Sequence, residues 1–406
     1  MKRLFLKTVT LCIISLCLLG TMGCAPDKMP EEGIQQTIPP VVDTTPIDKA
    51  LFSAADDNHT RMGRDYFVNM PGMVLFYDQD FYFSGGGICY VNKASKVASI
   101  YCFDALCEYL FGVCSARFAQ RTADIVYQPA DGLIYCLRTS EDILGTSDGN
   151  LYAISPDTLQ YERVFEGDGN ELRFLQVKDN FIYFARHRKD GEMMWYRYDV
   201  RTKRTDLLSL ENKSILDLYV RYDEIYVSVL GEDYLYRTND DLSIVTPTGV
   251  KEGEITRIRY DKCYQYDRIY EDQETVDLYE YDITTGERRL IATQCNDFQT
   301  IRTITDEHVY YINKDKTLLL RCSIEDGTCE LLYDFSTIHE SARFKGIKVF
   351  DGDIYIVYIV DDTRMVMQEA THWGNLVQKD GTWEIEEFVQ GRVIAPFAVS
   401  FDPDLE

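Results

Sequence analysis

Seven of the chain's apolar–Tyr dipeptides recur at a nearly constant interval, ending at Tyr82, Tyr135, Tyr183, Tyr226, Tyr270, Tyr310 and Tyr355. The gaps are 53, 48, 43, 44, 40 and 45 residues, about 45 on average. A period in the forties with four short strands per unit is the mark of a β-propeller blade. Such units bury their faces against their neighbours, so the 406 residues are expected to form one ring and not several domains. The expected fold class is all-β: a β-propeller of four-stranded antiparallel blades, seven in number, with six or eight as the alternatives.

Residues 299–335 display one complete unit. Ile301–Ile304 alternates as a half-buried strand does. Asp306-Glu307 is a turn, Val309–Ile312 a second strand, and Leu318–Cys322 a third. Glu325-Asp326-Gly327 turns the chain into Cys329–Tyr333, the fourth. The third strand and turn recur as Leu278–Asp282 with Thr285-Gly286-Glu287, and as Trp195–Asp199 with Thr202-Lys203. Leu151-Tyr152 and Leu235-Tyr236 mark two more. An Asp precedes the second strand at Asp131, Asp179, Asp223, Asp267, Asp306 and Asp351, where a side-chain bond to a nearby amide starts a turn. The first unit begins near Tyr66 and uses Phe81–Phe83 and Cys89–Asn92; the last begins near Arg343. The two chain ends are expected to share one blade, with Arg392–Ser400 as the closing strand.

The ends of the chain carry a location. Residues 1–23 read as a targeting segment: Lys2, Arg3 and Lys7, then an apolar run too short to span a bilayer, then Gly20-Thr21-Met22-Gly23-Cys24. Small Gly23 before Cys24 resembles a bacterial lipobox, with Cys24 as the lipidated residue; plain secretion is the other reading. Residues 24–60 hold Pro26, Pro30, Pro39, Pro40 and Pro46 with little periodicity, and read as a disordered tether. Residues 61–406 are the propeller. The expected location is extracytoplasmic, lipid-anchored to the cell membrane. Loss of residues 1–23 removes three cations and no acids, so a formal charge of −25 becomes −28. Such acidity repels phosphate polymers, and no nucleic acid partner is expected.

The lipobox, the Tyr-x-Tyr-Asp…Thr-Gly-Glu blades and one Cys-rich loop together resemble the surface lipoproteins of anaerobic, Clostridia-type Firmicutes. Those proteins carry a β-propeller of unknown function related to the low-density-lipoprotein-receptor type. The loop reads Cys102-Phe103-Asp104-Ala105-Leu106-Cys107-Glu108-Tyr109, then Cys114-Ser115-Ala116. Tyr109 stands where the family has His. The resemblance implies a fold and a location; it brings no activity.

Cys102, Cys107 and Cys114 can form a disulfide, alone or with Cys89 or Cys136, can bind a metal with a fourth ligand from elsewhere, or can stay as thiols. Cys322 and Cys329 flank the Glu325-Asp326 turn symmetrically, so they are either a cross-strand disulfide or two small apolar residues. Five His residues make no paired metal motif. There is no nucleophile elbow, phosphate loop or dinucleotide fingerprint, and no cofactor is expected. Trp195, Trp373 and Trp383 either fill space between blades or stack on a sugar.

The expected function is a binding or scaffolding module, monomeric, presenting the propeller face to a peptide, protein or glycan. The alternatives are a glycan-processing enzyme with carboxylates at the funnel and an envelope-assembly factor that takes up client strands on blade edges. An enzyme calls for a carboxylate cluster with a raised pKa, a binding module for an apolar patch, and an assembly factor for an exposed strand edge.

Overall fold

The computed structural model describes residues 67–78, 87–100, 122–141 and 147–390, apart from 159, 169, 189–190, 211–212, 222–223, 252–254, 260, 268–275, 296–300, 314, 351 and 363–367. These residues form seven four-stranded antiparallel blades, in chain order. Blade 1 is β1 (Phe67–Met70), β2 (Met73–Asp78), β3 (Gly87–Asn92) and β4 (Val97–Ile100). Blade 2 is β5 (Thr122–Gln128), β6 (Leu133–Glu141), β7 (Ser147–Ile154) and β8 (Tyr161–Glu166). Blade 3 is β9 (Glu171–Lys178), β10 (Phe181–His187), β11 (Met193–Asp199) and β12 (Arg204–Leu208). Blade 4 is β13 (Ile215–Arg221), β14 (Glu224–Val229), β15 (Tyr234–Thr238) and β16 (Val245–Lys251). Blade 5 is β17 (Ile255–Arg259), β18 (Lys262–Asp267), β19 (Val276–Asp282) and β20 (Arg288–Cys295). Blade 6 is β21 (Ile301–Ile304), β22 (His308–Ile312), β23 (Leu318–Ser323) and β24 (Cys329–Asp334). Blade 7 is β25 (Arg343–Phe350), β26 (Asp353–Asp362), β27 (Gln368–Lys379) and β28 (Thr382–Glu387), followed by β29 (Val389–Gln390).

First strands of successive blades approach one another, so they line the axis and the fourth strands form the rim. The core is divided into seven clusters, each between two adjacent blades. Tyr135, Leu137 and Leu151 of blade 2 meet Leu172, Ile182 and Phe184 of blade 3. Tyr310 and Leu319 of blade 6 meet Phe344 and Ile356 of blade 7. Phe350, Tyr355 and Trp373 of blade 7 meet Phe67, Val74 and Val91 of blade 1, which closes the ring.

The repeated Tyr explains the period. Tyr135, Tyr183, Tyr226, Tyr310 and Tyr355 are the third residue of the second strand in their blades, and all are buried. Each fills the gap to the next blade, where burial of a large side chain contributes about 2 kcal/mol. The hydroxyl needs a polar partner: Tyr135 donates to Asp131 at 2.7 Å, and Tyr226 to Glu224.

Two units differ from the even spacing. In blade 5 the equivalent residue is Tyr264, whose hydroxyl donates to Glu280 at 2.9 Å, and not Tyr270. Asp267 therefore ends β18 instead of preceding a second strand, and Asp261 stands in the turn. In blade 1 the position is Leu75, and β2 is Met73–Asp78. Tyr82, Tyr270 and Phe81–Phe83 lie outside the described residues. Connection length varies freely at little cost, so even spacing is no guide to register.

The closure also differs from a shared blade. Blades 1 and 7 each take all four strands from one contiguous stretch. Instead, β29 adds in parallel to the rim edge of β4, with Val389 opposite Val97 and Gln390 opposite Ala98. Arg392–Ser400 lies outside the described residues.

Candidate binding face

Antiparallel order puts two kinds of connection at opposite ends of the ring. The turns between first and second strands, and between third and fourth, share one end. The turns between second and third strands, and the blade-to-blade connections, share the other.

The first end is built by one repeated turn. In blades 1, 3, 5 and 6 the last residue of the third strand accepts, through its carbonyl, the N–H of the residue four further on. These are Lys96 to Asn92 (2.8 Å), Lys203 to Asp199 (2.9 Å), Gly286 to Asp282 (2.8 Å) and Gly327 to Ser323 (3.0 Å). The donor is left-handed in all four. The Asp282 carboxylate also accepts from Thr284 and Thr285 N–H (3.0 and 2.9 Å). Its pKa is held down at about 2, first by its bond with Lys262 and then by the Thr285 amide. The Asp326 pKa lies at about 2, held first by the Thr328 amide. Each turn then docks on its own blade, as Val200 N–H donates to Asn180 carbonyl and Ile324 N–H to Glu307 carbonyl. These turns are satisfied largely by their own backbone; cross-blade pairs such as Lys178 Nζ with Asp240 (2.8 Å) join them, and Ile244 is exposed at the blade 4 turn.

The other end is shaped by bulges. The first strands of blades 2 to 7 each carry one extra residue relative to their partners. A bulge twists the strand and re-aims its side chains. Blade 3 shows the cost: Phe174 has φ 62, uncommon for an aromatic residue, and lies parallel to Trp195 with centroids 6.0 Å apart. The Asp124 carboxylate of β5 holds that bulge by accepting from Phe174 and Leu175 N–H (2.8 and 3.2 Å). Nearer the turn end, buried Gln176 ties β9 to β13. Its Nε2 donates to Leu218 carbonyl at 2.7 Å and its Oε1 accepts from Val220 N–H at 2.8 Å.

Among the described residues of this end, exposed apolar side chains gather in blade 4, with Ile338 of the blade 6–7 connection as a further one. Leu216, the extra residue of the β13 bulge, is 38% exposed; Leu230 is 64% exposed and Tyr234 39%. They share one end of the blade because Leu230 N–H donates to Ser214 carbonyl at 2.9 Å, and Tyr234 opens β15 just after that turn. A polar rim adjoins them. Lys213 Nζ lies 2.7 Å from Glu232, which also accepts from the Tyr236 hydroxyl at 3.0 Å. Those two bonds hold the Glu232 pKa below its ordinary value. Two exposed aliphatic side chains and an exposed aromatic one beside a neutralised ion pair can dock a surface.

The residues singled out in the sequence sit elsewhere. Cys322 and Cys329 are joined as a disulfide, directly opposite each other with Cα atoms 4.1 Å apart. Ser323 N–H donates to Thr328 carbonyl, so the cysteines occupy the next, non-hydrogen-bonded pair, where the strands run closest. Cys24, Cys102, Cys107 and Cys114 lie outside the described residues. Trp195 and Trp373 fill the blade 3–4 and blade 7–1 clusters, and Trp383 packs against the blade 6–7 cluster under the Arg321 guanidinium. Leu216, Leu230 and Tyr234 were not picked out in the sequence. The available signal was Leu230 next to Gly231, an apolar residue at a turn where polar residues are usual.

Among the described residues no group of three His, Cys, Asp or Glu side chains is placed to hold a metal ion. The carboxylates with clearly displaced pKa values, Asp199, Glu232, Asp241, Asp282 and Asp326, all lie below the usual range.

The topology defines the class: a seven-bladed β-propeller. No family model and no curated protein matches the chain. Solved structures similar to it include TolB from Acinetobacter baumannii, 13% identical, with 64% of this chain and 63% of that one covered and a TM-score of 0.43. The β-propeller domain of the Trilobed protease from Pyrococcus furiosus is 13% identical over 79% of this chain and 95% of that one, with a TM-score of 0.49. An oligogalacturonate lyase in complex with manganese is 11% identical over 76% and 86%, also at 0.49. The chain thus spans less than two thirds of TolB.

Proposed function

We propose that this chain is a lipid-anchored, extracytoplasmic binding or scaffolding module. Its docking face is the end of the ring that carries Leu216, Leu230 and Tyr234. The single observation behind this reading is that apolar cluster, exposed on a chain of net charge −25 and rimmed by polar groups. A protein or peptide ligand suits it better than a glycan, because two of the three side chains are aliphatic and make no stacking platform. The Cys322–Cys329 disulfide supports an oxidising compartment, as does the Cys24 lipobox pattern. The resemblance to Firmicutes surface lipoproteins points the same way.

The test is retention. The protein is immobilised and offered cell-envelope proteins, wall fragments and polysaccharides, with retained material and released products recorded together. Wild type is expected to retain a protein or peptide, and Leu230→Ser to lose it. Release of product would replace this reading with the glycan-processing one. Replacing Cys24 by Ser is expected to move the protein from the membrane fraction to the medium.

A further inference from the structure

Six blade interfaces are bridged by the chain passing from one blade into the next; the seventh, between blades 7 and 1, joins the two ends of the repeat. Its filling is mostly aromatic, with six of the eleven buried side chains. Trp373 meets Phe76 at 4.3 Å between centroids and Phe67 edge-on at 5.4 Å, and Tyr355 meets Phe67 at 5.8 Å. Among the described residues, an ion pair crosses this seam, from Lys96 of blade 1 to Asp353 of blade 7.

At the rim the only described bridge is the strap 388–390. Phe388 is buried in the seam against Tyr355, and its N–H donates to Trp373 carbonyl at 3.0 Å. The strap then pairs with β4 through two residues. Two residues of parallel ladder cannot hold such a segment alone, since an isolated short pairing is marginal in water.

The residue before the strap is Glu387, and it joins three strands of blade 7. Its carboxylate accepts from the Tyr358 hydroxyl of β26, a side chain only 1% exposed. His372 of β27 stacks on the Tyr358 ring at 4.9 Å, with Nδ1 3.4 Å from the same Glu387 oxygen. A hydroxyl bonded to a carboxylate is among the stronger hydrogen bonds available to a side chain, and here one partner is desolvated.

We propose that Tyr358, His372 and Glu387 form a latch: they fix the base of the strap, and the strap closes the ring at the one seam that the chain does not bridge. The consequence is a local opening. Release of Glu387 frees the strap and the β4 edge together, while the other blades stay folded. This goes beyond the docking reading and does not depend on it, since none of these residues belongs to the blade 4 patch.

Hydrogen exchange on the full chain reads it directly. Glu387→Ala is expected to speed exchange in Val97–Ile100 and Val389–Gln390 about tenfold, leaving blades 3 to 5 unchanged. Glu387→Gln, whose amide oxygen still accepts from Tyr358, is expected to restore most of the protection. Tyr358→Phe is expected to reproduce the opening with packing intact, and it carries the test if the alanine variant fails to fold. A disulfide between cysteines introduced at Val97 and Val389 is expected to abolish the effect. Unchanged exchange at these segments, or an equal rise in every blade, would overturn the latch.

Discussion

The turns of this ring and the first strands that line its axis are held mainly by different kinds of bond. At the turn end, Asp282 and Asp199 satisfy amides two and three residues away, and the same turn recurs in blades 1, 3, 5 and 6. Along the axis, Asp124 of β5 holds amides fifty residues away in the next blade, and Gln176 of β9 reaches forty-two residues to β13. Local bonds repeat because the same short sequence writes them each time. Long-range bonds differ from blade to blade because each answers one particular neighbour. Leu216, exposed by the β13 bulge, lies with exposed Leu230 and Tyr234 at the connection end of blade 4.

Substitutions can break or sharpen this contrast. The largest effect is expected where two blades touch backbone to backbone. A Cβ on Gly249 of β16 would stand 2.4 Å from the Gly286 amide nitrogen of blade 5. Gly249 N–H also donates to Ile283 carbonyl, so neither chain can retreat without losing a bond. Gly249→Ala is expected to cost about 3 kcal/mol in urea unfolding. A cost below that of Leu230→Ser would show that the contact is slack.

Removing the blade 6 disulfide comes next. Replacing Cys322 and Cys329 together by Ala releases a short closed loop, with an expected loss of about 2.5 kcal/mol. Gln176→Leu leaves the Val220 amide and the Leu218 carbonyl without their partner, with an expected loss of about 2 kcal/mol. If Gln176→Leu were neutral, the axis ties would be dispensable and the contrast between turns and axis strands would weaken.

The acid limb is a smaller effect and belongs to the turn end. Asp282 and Asp326 titrate at about 2 in the folded chain, against 3.8 for an unperturbed Asp. A depressed folded pKa means the stabilisation is present above about pH 4 and is lost as pH falls towards 2. Asp282→Asn is expected to flatten the stability profile over that window, followed by thermal melts at stepped pH; an unchanged profile would remove the carboxylate from the account. The smallest effect on stability is expected from Leu230→Ser, within about 0.5 kcal/mol, because the side chain is 64% exposed. Loss of ligand retention without loss of stability would place function at the connection end.

Much of the fold was legible residue by residue. The four strands of blade 6 fall where alternation and turn signals put them, and Arg343 opens the last blade. Blade 5 was displaced by six residues because Tyr264 and Tyr270 both follow an apolar residue, and only the pairing of Tyr264 with Arg257 and Glu280 tells them apart. The candidate site was much less legible. Leu216 is exposed because β13 bulges there, and no feature of Ile215-Leu216-Asp217 in isolation announces the bulge.

By itself, the sequence determined what depends on near neighbours along the chain: strand alternation, the Asx-type turns, the Tyr period and the placing of Cys322 opposite Cys329. Only the tertiary structure decided the register of blades 1 and 5, the strap in place of a shared blade, and the exposure of Leu216 at the β13 bulge. The reason is the range of the interactions. Turn and strand preferences are settled within a few residues, whereas ring closure and exposure depend on which surfaces meet after the chain has gone full circle.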